Sequence, residues 1–330
     1  MKVILTVVAT ILIALLLTSA CSLGGGTGEV TTAAPPGSQP PTAPADTQAP
    51  PIAPPTAPPT VPPPTPSPTV PPKPEPTRVE FQAEDGRALV GYFYPSPYPN
   101  APVVVLMHMM GFTQWDWVEL GMVDWLQNWP SRGGGGMSAP ALQTSIYPPM
   151  PQGISFAVFT FDYRGMGESL PEMPNSLTSS EFDQWIAGWL MDSKAAYEKA
   201  KTMPGVDPTR VAGIGASIGA DGVVDACVAG CLGALSLSPG DYLNVKYTDA
   251  VKAVDDAGKP VWCIAHEKDK PSANACKAAS GEHYKKFIIY TEGGGEYGTH
   301  GMMFLIPEYA PPDIGQVILD WILLTFKITP

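Results

Sequence analysis

One serine in this chain lies in a setting that could make it a nucleophile. Ser217 stands in the pentapeptide Gly215-Ala216-Ser217-Ile218-Gly219, between a run that predicts a short buried strand (210–215) and a run that predicts a helix (220–226). A serine at a strand-to-helix turn between glycines has the arrangement of a nucleophile elbow. Glycine is needed there because the turn is strained and the flanking backbones pass close together. The pattern therefore predicts a catalytic Ser217; the alternative is a glycine-rich turn with an inert serine.

A nucleophilic serine needs a general base, and the chain has 4 histidines, of which His283 and His300 follow Ser217. In the fold that uses this elbow, the base comes last in chain order, after the acid. His300 follows the predicted strand 285–290 in a glycine-rich loop (293–301), as the base requires. His283 precedes that strand in a polar stretch that we expect to be helical and exposed. We therefore predict His300 as the base; the alternative is a loop histidine without a role.

The acid that orients the base should follow the strand before the base. Residues 260–265 predict that strand, and His266-Glu267-Lys268-Asp269 comes directly after it. We predict Asp269 as the acid and keep Glu267 as the alternate. Asp241, after the predicted strand 234–238, is a weaker third candidate.

An oxyanion hole would complete this chemistry. The almost wholly apolar run 103–107 predicts a buried central strand that leads into His108-Met109-Met110-Gly111-Phe112. This segment is similar to the His-Gly type motif that supplies a backbone N–H to the developing oxyanion, with methionines in place of the first glycine. By position the two donors would be the amides of Met110 and Ile218. His108 would then be structural, and the methionines could alternatively be core residues.

Together these residues resemble the α/β-hydrolase family and, within it, the serine-containing relatives of dienelactone hydrolases. The resemblance covers roughly residues 78–330 and includes Phe161–Ser169, which matches an Asp-x-Arg-Gly-x-Gly-x-Ser stretch, and the segment 206–211. It implies an α/β-hydrolase fold, in which helices flank a mostly parallel central sheet, and a Ser-Asp-His triad. We expect no large lid domain, because none is visible between the strand after the elbow and Asp269. Dienelactone hydrolases proper use a cysteine nucleophile, so their lactone hydrolysis is not implied here.

The first twenty residues have the layout of a signal peptide. Lys2 is followed by an apolar run from Val3 to Leu17, which is too short for a stable membrane span. Thr18-Ser19-Ala20-Cys21 resembles a bacterial lipobox, although Thr18 stands where that family prefers a branched aliphatic residue. We expect cleavage after residue 20, lipidation of Cys21 and a place in the cell envelope outside the cytoplasm. The alternative is an ordinary secretory signal with release into the medium.

Residues 22–77 read as a disordered tether. Twenty of the chain's 40 prolines fall between Pro35 and Pro76, among Ala, Thr, Ser and Gln. Such a composition cannot bury a core and favours extended polyproline II. The segment therefore predicts a semi-rigid spacer that holds an enzyme away from a membrane; a docking segment for a partner is the alternative.

The remaining 78–330 is long enough for one catalytic domain. It carries nearly all of the net charge of −12 and no basic run, which argues against nucleic acid as a partner. The expected partners are therefore a small or polymeric ester and, through the lipid anchor, a membrane.

Setting Cys21 aside leaves four cysteines, which allow three pairings in an oxidising compartment. Proximity in sequence favours Cys227–Cys231 and Cys263–Cys276. The spacings lack C-x-x-C and a partnering histidine pair, so no metal site is predicted, and the triad chemistry calls for no cofactor.

The segment 113–153 is long and rich in tryptophan. We predict one helix over 119–128 and a loop at Gly133–Gly136. Trp115 and Trp117 are predicted to line a substrate cleft, with core packing as the alternative. For Trp125 and Trp129, core packing is the preferred role. Further on, the apolar periodicity predicts a helix from Ser180 to about Lys201.

The sequence thus predicts an extracytoplasmic serine hydrolase that cleaves carboxylic esters through an acyl-enzyme. An acyl-peptide or peptide hydrolase with the same triad is the alternative within enzymes. A binding lipoprotein that keeps the fold without catalysis is the alternative from another class.

Overall fold

The structure is a computed structural model that describes residues 73–129, 146–227, 230–290 and 298–329. The chain separates into two units, and the first of them, Met1–Thr65, lies wholly outside the described residues.

Several sequence predictions concern residues outside that description. They are the signal peptide, the lipidated Cys21, the proline-rich linker up to residue 72 and the loop at Gly133–Gly136. Among the described residues, no helix is both long enough and apolar enough to cross a bilayer.

The described residues form one eight-stranded sheet. Its strands are β1 (Thr77–Gln82), β2 (Ala88–Tyr94), β3 (Ala101–Met107), β4 (Ala157–Phe161), β5 (Val206–Ala216), β6 (Ala234–Leu237), β7 (Val261–His266) and β8 (Tyr284–Tyr290). The strand order is β1-β2-β4-β3-β5-β6-β7-β8. Only β2 pairs antiparallel with its neighbours β1 and β4, and all other pairs are parallel. The carboxyl ends of β3 to β8 therefore meet at one edge.

Helices cover both faces of this sheet. They are α1 (Gln114–Glu119), α2 (Met122–Gln127), α3 (Ser179–Lys201), α4 (Ile218–Asp225), α5 (Tyr247–Asp256), α6 (Lys270–Ala278) and α7 (Ile314–Phe326). One core contains residues of α3 to α6, and the other contains residues of α1, α2 and α7. Alternate residues of β3 enter the two cores, which explains why this strand is apolar throughout. The α/β-hydrolase fold predicted from the sequence is confirmed.

The stretch between β6 and β7 is described throughout and holds one helix, α5. The expectation that no domain is inserted there agrees with the structure. The long helix α3 begins one residue before its predicted start, at a capping box in which the Thr178 and Glu181 side chains satisfy each other's backbone N–H groups.

Three local predictions need correction. The single helix expected over 119–128 is two short helices, because Gly121 has φ +75°, a left-handed conformation that ends the first helix. His283 is exposed as expected but lies outside any helix, since its backbone N–H donates to the Asp255 carboxylate. Strand β1 begins at Thr77, which the sequence prediction assigned to the linker.

Both disulfides favoured by proximity in sequence are present. Cys227 and Cys231 are joined, with their Cα atoms 4.9 Å apart, directly after α4. Cys263 of β7 is joined to Cys276 of α6, with Cα atoms 5.8 Å apart. The second bridge closes the segment that carries Asp269.

Candidate active site

Ser217 occupies a strained turn between β5 and α4. Its backbone has φ 53° and ψ −114°, which a residue with a side chain rarely adopts. The turn is held because the Ser217 N–H donates to the Leu237 carbonyl at 2.9 Å and the Ser217 carbonyl accepts from the Ala220 N–H at 2.9 Å. The side chain is 8 % exposed. This is the geometry expected of a nucleophile elbow.

The glycines on either side of the serine are required by space. A Cβ on Gly215 would collide with the Gly219 carbonyl, and a Cβ on Gly219 would collide with the Met107 carbonyl. The elbow helix α4 thus packs directly on the backbone at the end of β3. The segment after β3, which carries the expected oxyanion donor, consequently lies beside the elbow.

His300 and Asp269 are in direct contact. Nδ1 of His300 lies 2.7 Å from Oδ2 of Asp269. With Asp269 ionised, Nδ1–H is the donor, which leaves Nε2 as the ring nitrogen that can accept a proton. The His300 side chain is 33 % exposed and that of Asp269 only 10 %. The base therefore faces the solvent side of the site while its acid partner is largely buried.

The Asp269 carboxylate is kept ionised by its neighbours. Burial raises the pKa of Asp269, but the hydrogen bond and the charge of His300 outweigh burial and bring this pKa below its ordinary value. A charged Asp269 can stabilise the imidazolium that forms when His300 accepts a proton.

The two alternative acids do not contact His300. Glu267 is exposed, and the Asp241 carboxylate instead accepts the backbone N–H of Tyr247 at 2.7 Å, capping α5. The structure therefore brings together Asp269 and His300 among the candidates.

The base loop packs against the elbow. An ideal Cβ on Gly301, the residue after His300, would lie 3.5 Å from Cβ of Ala216, the residue before Ser217. The same position would be 2.8 Å from Sδ of Met109, and the Met302 N–H donates to that sulfur at 3.4 Å. The neighbours of His300 thus contact both the elbow and the turn after β3.

The turn after β3 leaves the Met110 amide free. The Phe112 N–H donates to the Met109 carbonyl at 3.2 Å, and Gly111 has φ +82°, so Met110 occupies the second position of a turn. Ile218 is the first residue of α4, where a backbone N–H has no intrahelical acceptor. Among the described residues, neither the Met110 nor the Ile218 amide has a hydrogen-bond acceptor. An N–H without an acceptor at each position is what donors to an oxyanion require.

His108 has the structural role expected for it. It is completely buried, its Nδ1–H donates to the Met109 carbonyl at 2.8 Å, and its Nε2 accepts from the Tyr163 N–H at 3.1 Å. Burial lowers the pKa of His108, which keeps the ring neutral. The histidine therefore fixes the carbonyl of the turn that presents Met110.

The two tryptophans proposed for a cleft have different surroundings. Trp117 is 0 % exposed, in the core that also contains residues of α7, so its assignment to a cleft is wrong: the buried face of α1 needs an apolar side chain there. Trp125 and Trp129 are buried, as the sequence favoured. Trp115 is 39 % exposed, and the centroid of its ring lies 4.5 Å from the centroid of the Tyr92 ring. A cleft role for Trp115 remains an expectation.

Two buried polar residues near the site were not singled out from the sequence. Ser238, at the end of β6, accepts the Gly301 N–H on its hydroxyl at 3.0 Å. Asp221 of α4 accepts the backbone N–H groups of Gly240 and Tyr242, and burial raises its pKa well above the ordinary value. The sequence signal for Ser238 is that it is a polar residue at the end of an apolar run. The signal for Asp221 is its position shortly after the elbow.

The curated proteins that the chain matches align with only part of it. No family model matches it. The uncharacterised protein YfhR of Salmonella typhi is 27 % identical over 178 residues, which are 52 % of this chain and 48 % of that protein. Its namesake from Escherichia coli K12 is 31 % identical over 150 residues, 44 % of this chain and 40 % of that protein. The chain spans about half the length of the curated relatives it matches.

Solved structures resemble most of the chain at low identity. A Pyrococcus furiosus esterase is 14 % identical with a TM-score of 0.49, covering 76 % of this chain and 93 % of its own. A dienelactone hydrolase from Anabaena variabilis is 14 % identical with a TM-score of 0.48, covering 77 % and 99 %. An acetyl xylan esterase from Paenibacillus is 14 % identical with a TM-score of 0.48, covering 75 % and 83 %. The activities in these names are those of the named proteins. The activity proposed for this chain is argued from its own residues.

Proposed function

We propose that the protein is a serine hydrolase that cleaves carboxylic esters through an acyl-enzyme, with Ser217, His300 and Asp269 as its triad. The observation that carries the proposal is the 2.7 Å contact between Asp269 and His300, in loops that flank the strained turn of Ser217. A buried acid on one ring nitrogen is what a histidine needs to act as base at the other.

Each residue has a defined step in this reaction. Nε2 of His300 takes the proton of the Ser217 hydroxyl while Oγ attacks the ester carbonyl, and the amides of Met110 and Ile218 receive the oxyanion. Collapse of the tetrahedral intermediate breaks the bond to the alcohol, which leaves with the proton from His300. Water, deprotonated by His300, then releases the acid and restores Ser217. Asp269 stays ionised throughout.

The place of action in this proposal is the cell envelope. The motivation is the lipobox-like Thr18-Ser19-Ala20-Cys21 ahead of a proline-rich segment that would act as tether. Mass spectrometry of the mature N-terminus should find a diacylglyceryl Cys21. A mature chain that begins elsewhere and collects in the culture medium would show an ordinary secretory signal instead.

Labelling with a fluorophosphonate probe tests the catalytic proposal, because only an activated serine reacts with it. The full chain, extracted in detergent, should label and hydrolyse p-nitrophenyl esters, whereas Ser217→Ala should do neither. A panel of short, long and aryl esters, an aromatic polyester and an aminoacyl anilide then defines the substrate. Faster cleavage of the anilide than of any ester would point to a peptide hydrolase. Absence of labelling and of turnover would favour a binding protein that keeps the fold.

A further inference from the structure

The three loops that carry the proposed triad are joined at the end of β6. The Leu237 carbonyl accepts the Ser217 N–H at 2.9 Å, which ties β6 to the elbow. The next residue, Ser238, donates its N–H to the Ile264 carbonyl of β7 at 2.8 Å, and β7 leads to Asp269. The Ser238 hydroxyl accepts the Gly301 N–H at 3.0 Å, directly after His300. Two consecutive residues thus contact the nucleophile, acid and base segments.

Ser238 holds this position under strain. It is completely buried and has φ +60°, in the left-handed region that favours glycine. Such a conformation persists only where surrounding contacts impose it. Glycine could adopt the backbone conformation at position 238, but the hydrogen bond to the base loop needs the serine hydroxyl.

The hydroxyl is bound to the base loop through its oxygen. A serine oxygen can accept a hydrogen bond, and that of Ser238 accepts the Gly301 N–H, directly after His300. The backbone N–H of the same residue is bonded to β7, the strand that leads to Asp269. Ser238 therefore links the base loop to the strand that precedes the acid.

The segment after Ser238 is fixed to the elbow helix. The buried Asp221 of α4 accepts the Gly240 N–H at 3.0 Å and also binds the Tyr242 N–H. The Tyr242 ring lies edge-on to His300, with 6.3 Å between ring centroids. This anchorage leaves the Ser238 hydroxyl little freedom to move away from its partners.

We propose that Ser238 is a positioning residue, whose hydroxyl holds the loop of His300 in the orientation that the hydrogen bond between His300 and Asp269 requires. The inference rests on the proposed function, because it concerns how well His300 acts as base. Ser238 itself takes no proton from Ser217 and contacts no reacting atom.

The test compares Ser238→Ala with Ser238→Gly in the full chain in detergent. Alanine removes the hydroxyl and keeps the backbone strain, whereas glycine removes both. Both variants should lower kcat for a p-nitrophenyl ester by about tenfold, as expected when the buried Gly301 N–H loses its acceptor, with KM within about twofold of wild type. The glycine variant should nevertheless unfold at a higher temperature than the alanine variant. The two variants would then differ in stability while sharing the same loss of activity.

A matched control separates this role from a general loss of core packing. Ser193→Ala is that control: Ser193 is also completely buried, but its hydroxyl bonds to Tyr163 and to the Trp189 carbonyl. Its kcat and KM should match wild type. A fall in kcat with KM retained, found at position 238 and absent at position 193, is a readout that a purely structural role would not give.

The outcomes separate this inference from the proposed function. If wild type hydrolyses esters and Ser238→Gly keeps its kcat, the hydroxyl has no positioning role and the inference is wrong. If Ser238→Ala alone loses activity, backbone strain rather than the hydroxyl is responsible, which also overturns it. A wild type that neither labels with a fluorophosphonate nor turns over an ester refutes the proposed function, and the inference with it.

Discussion

At the scale of single residues, the site depends on unfavourable conformations held by hydrogen bonds. Ser217 at φ 53° and Ser238 at φ 60° both occupy the left-handed region, at the ends of neighbouring strands. Each would cost about 1–3 kcal/mol without its surroundings. Their backbone and side-chain contacts connect the elbow, β6 and the loop of His300. Strain stored at adjacent positions of one edge indicates a preorganised site.

The triad prediction belongs to this scale. Ser217→Ala, His300→Ala and Asp269→Asn should each leave a folded domain whose esterase kcat/KM is reduced by about a thousandfold or more. Because the three residues act as a unit, the double variant Ser217→Ala/His300→Ala should be little worse than Ser217→Ala alone. Steady-state kinetics with thermal unfolding of each variant provide the measurement.

The alternative acids supply the controls for this prediction. Glu267→Gln should retain wild-type kinetics, because Glu267 is exposed. Asp241→Asn should affect stability more than activity, because the Asp241 carboxylate caps α5 through the Tyr247 N–H. Full activity of Asp269→Asn with loss of activity in Glu267→Gln would move the acid to Glu267.

At the scale of secondary-structure elements, the parallel sheet brings together residues that are distant in sequence. Strands β5 to β8 end at one edge, where Ser217, Ser238, Asp269 and His300 follow their respective strands. The bridge between Cys263 and Cys276 joins β7 to α6 on either side of Asp269. The position of Asp269, the proposed acid, is therefore constrained covalently as well as by its hydrogen bond to His300.

Removing this bridge should affect catalysis as well as stability. Cys263→Ala/Cys276→Ala should lose about 3 kcal/mol in the loop-entropy model for a separation of 13 residues, and its kcat should fall because Asp269 is less well held. The control Cys227→Ala/Cys231→Ala removes a bridge with a sequence separation of 4 residues. It should lose about 2 kcal/mol of unfolding free energy, with kcat retained. Denaturant unfolding measures the stability of the two double variants, and ester kinetics measure their activity. Equal loss of kcat in both would show that the Cys263–Cys276 bridge has no specific effect on Asp269.

The strands and the elbow could be predicted because their signals are local. Apolar runs mark β3, β5, β6 and β7, and the glycines around Ser217 mark the turn. The break at Gly121 could not be predicted, because glycine inside a helical pattern is often tolerated. The burial of Trp117 and the contact of Ser238 with Gly301 depend on how distant segments pack, which no short window of sequence contains. The sequence favoured Asp269 over its alternate Glu267, but only the orientation of the turn shows which carboxylate contacts His300.

At the scale of the whole molecule, the chain is acidic, with a net charge of −12. Among the described residues, Asp162, Asp192 and Asp221 are buried and Asp225 is partly buried. Burial raises the pKa of Asp162, Asp192, Asp221 and Asp225, although Asp192 is paired with Arg164. A carboxyl group whose pKa is higher in the folded state than in the unfolded state destabilises the fold as it ionises. The fold should therefore lose stability from this group of residues as the pH rises.

Asp225, at the end of α4, allows that expectation to be measured. Burial, opposed by the charge of Lys194 and assisted by that of Asp241, raises the pKa of Asp225 to about 7. In the unfolded chain this carboxyl ionises near its ordinary value, so the folded state is disfavoured increasingly from about pH 4 to about pH 7 and by a constant amount above that. Asp225→Asn keeps the shape and removes the charge, and should stabilise the protein by about 2 kcal/mol at pH 8 and by almost nothing at pH 4. Denaturant unfolding at both pH values measures this, with the exposed Asp183→Asn of α3 as the control that should change stability at neither. Equal stabilisation by Asp225→Asn at pH 4 and pH 8 would show that the gain comes from packing, and that burial of this carboxylate does not limit the stability of the fold.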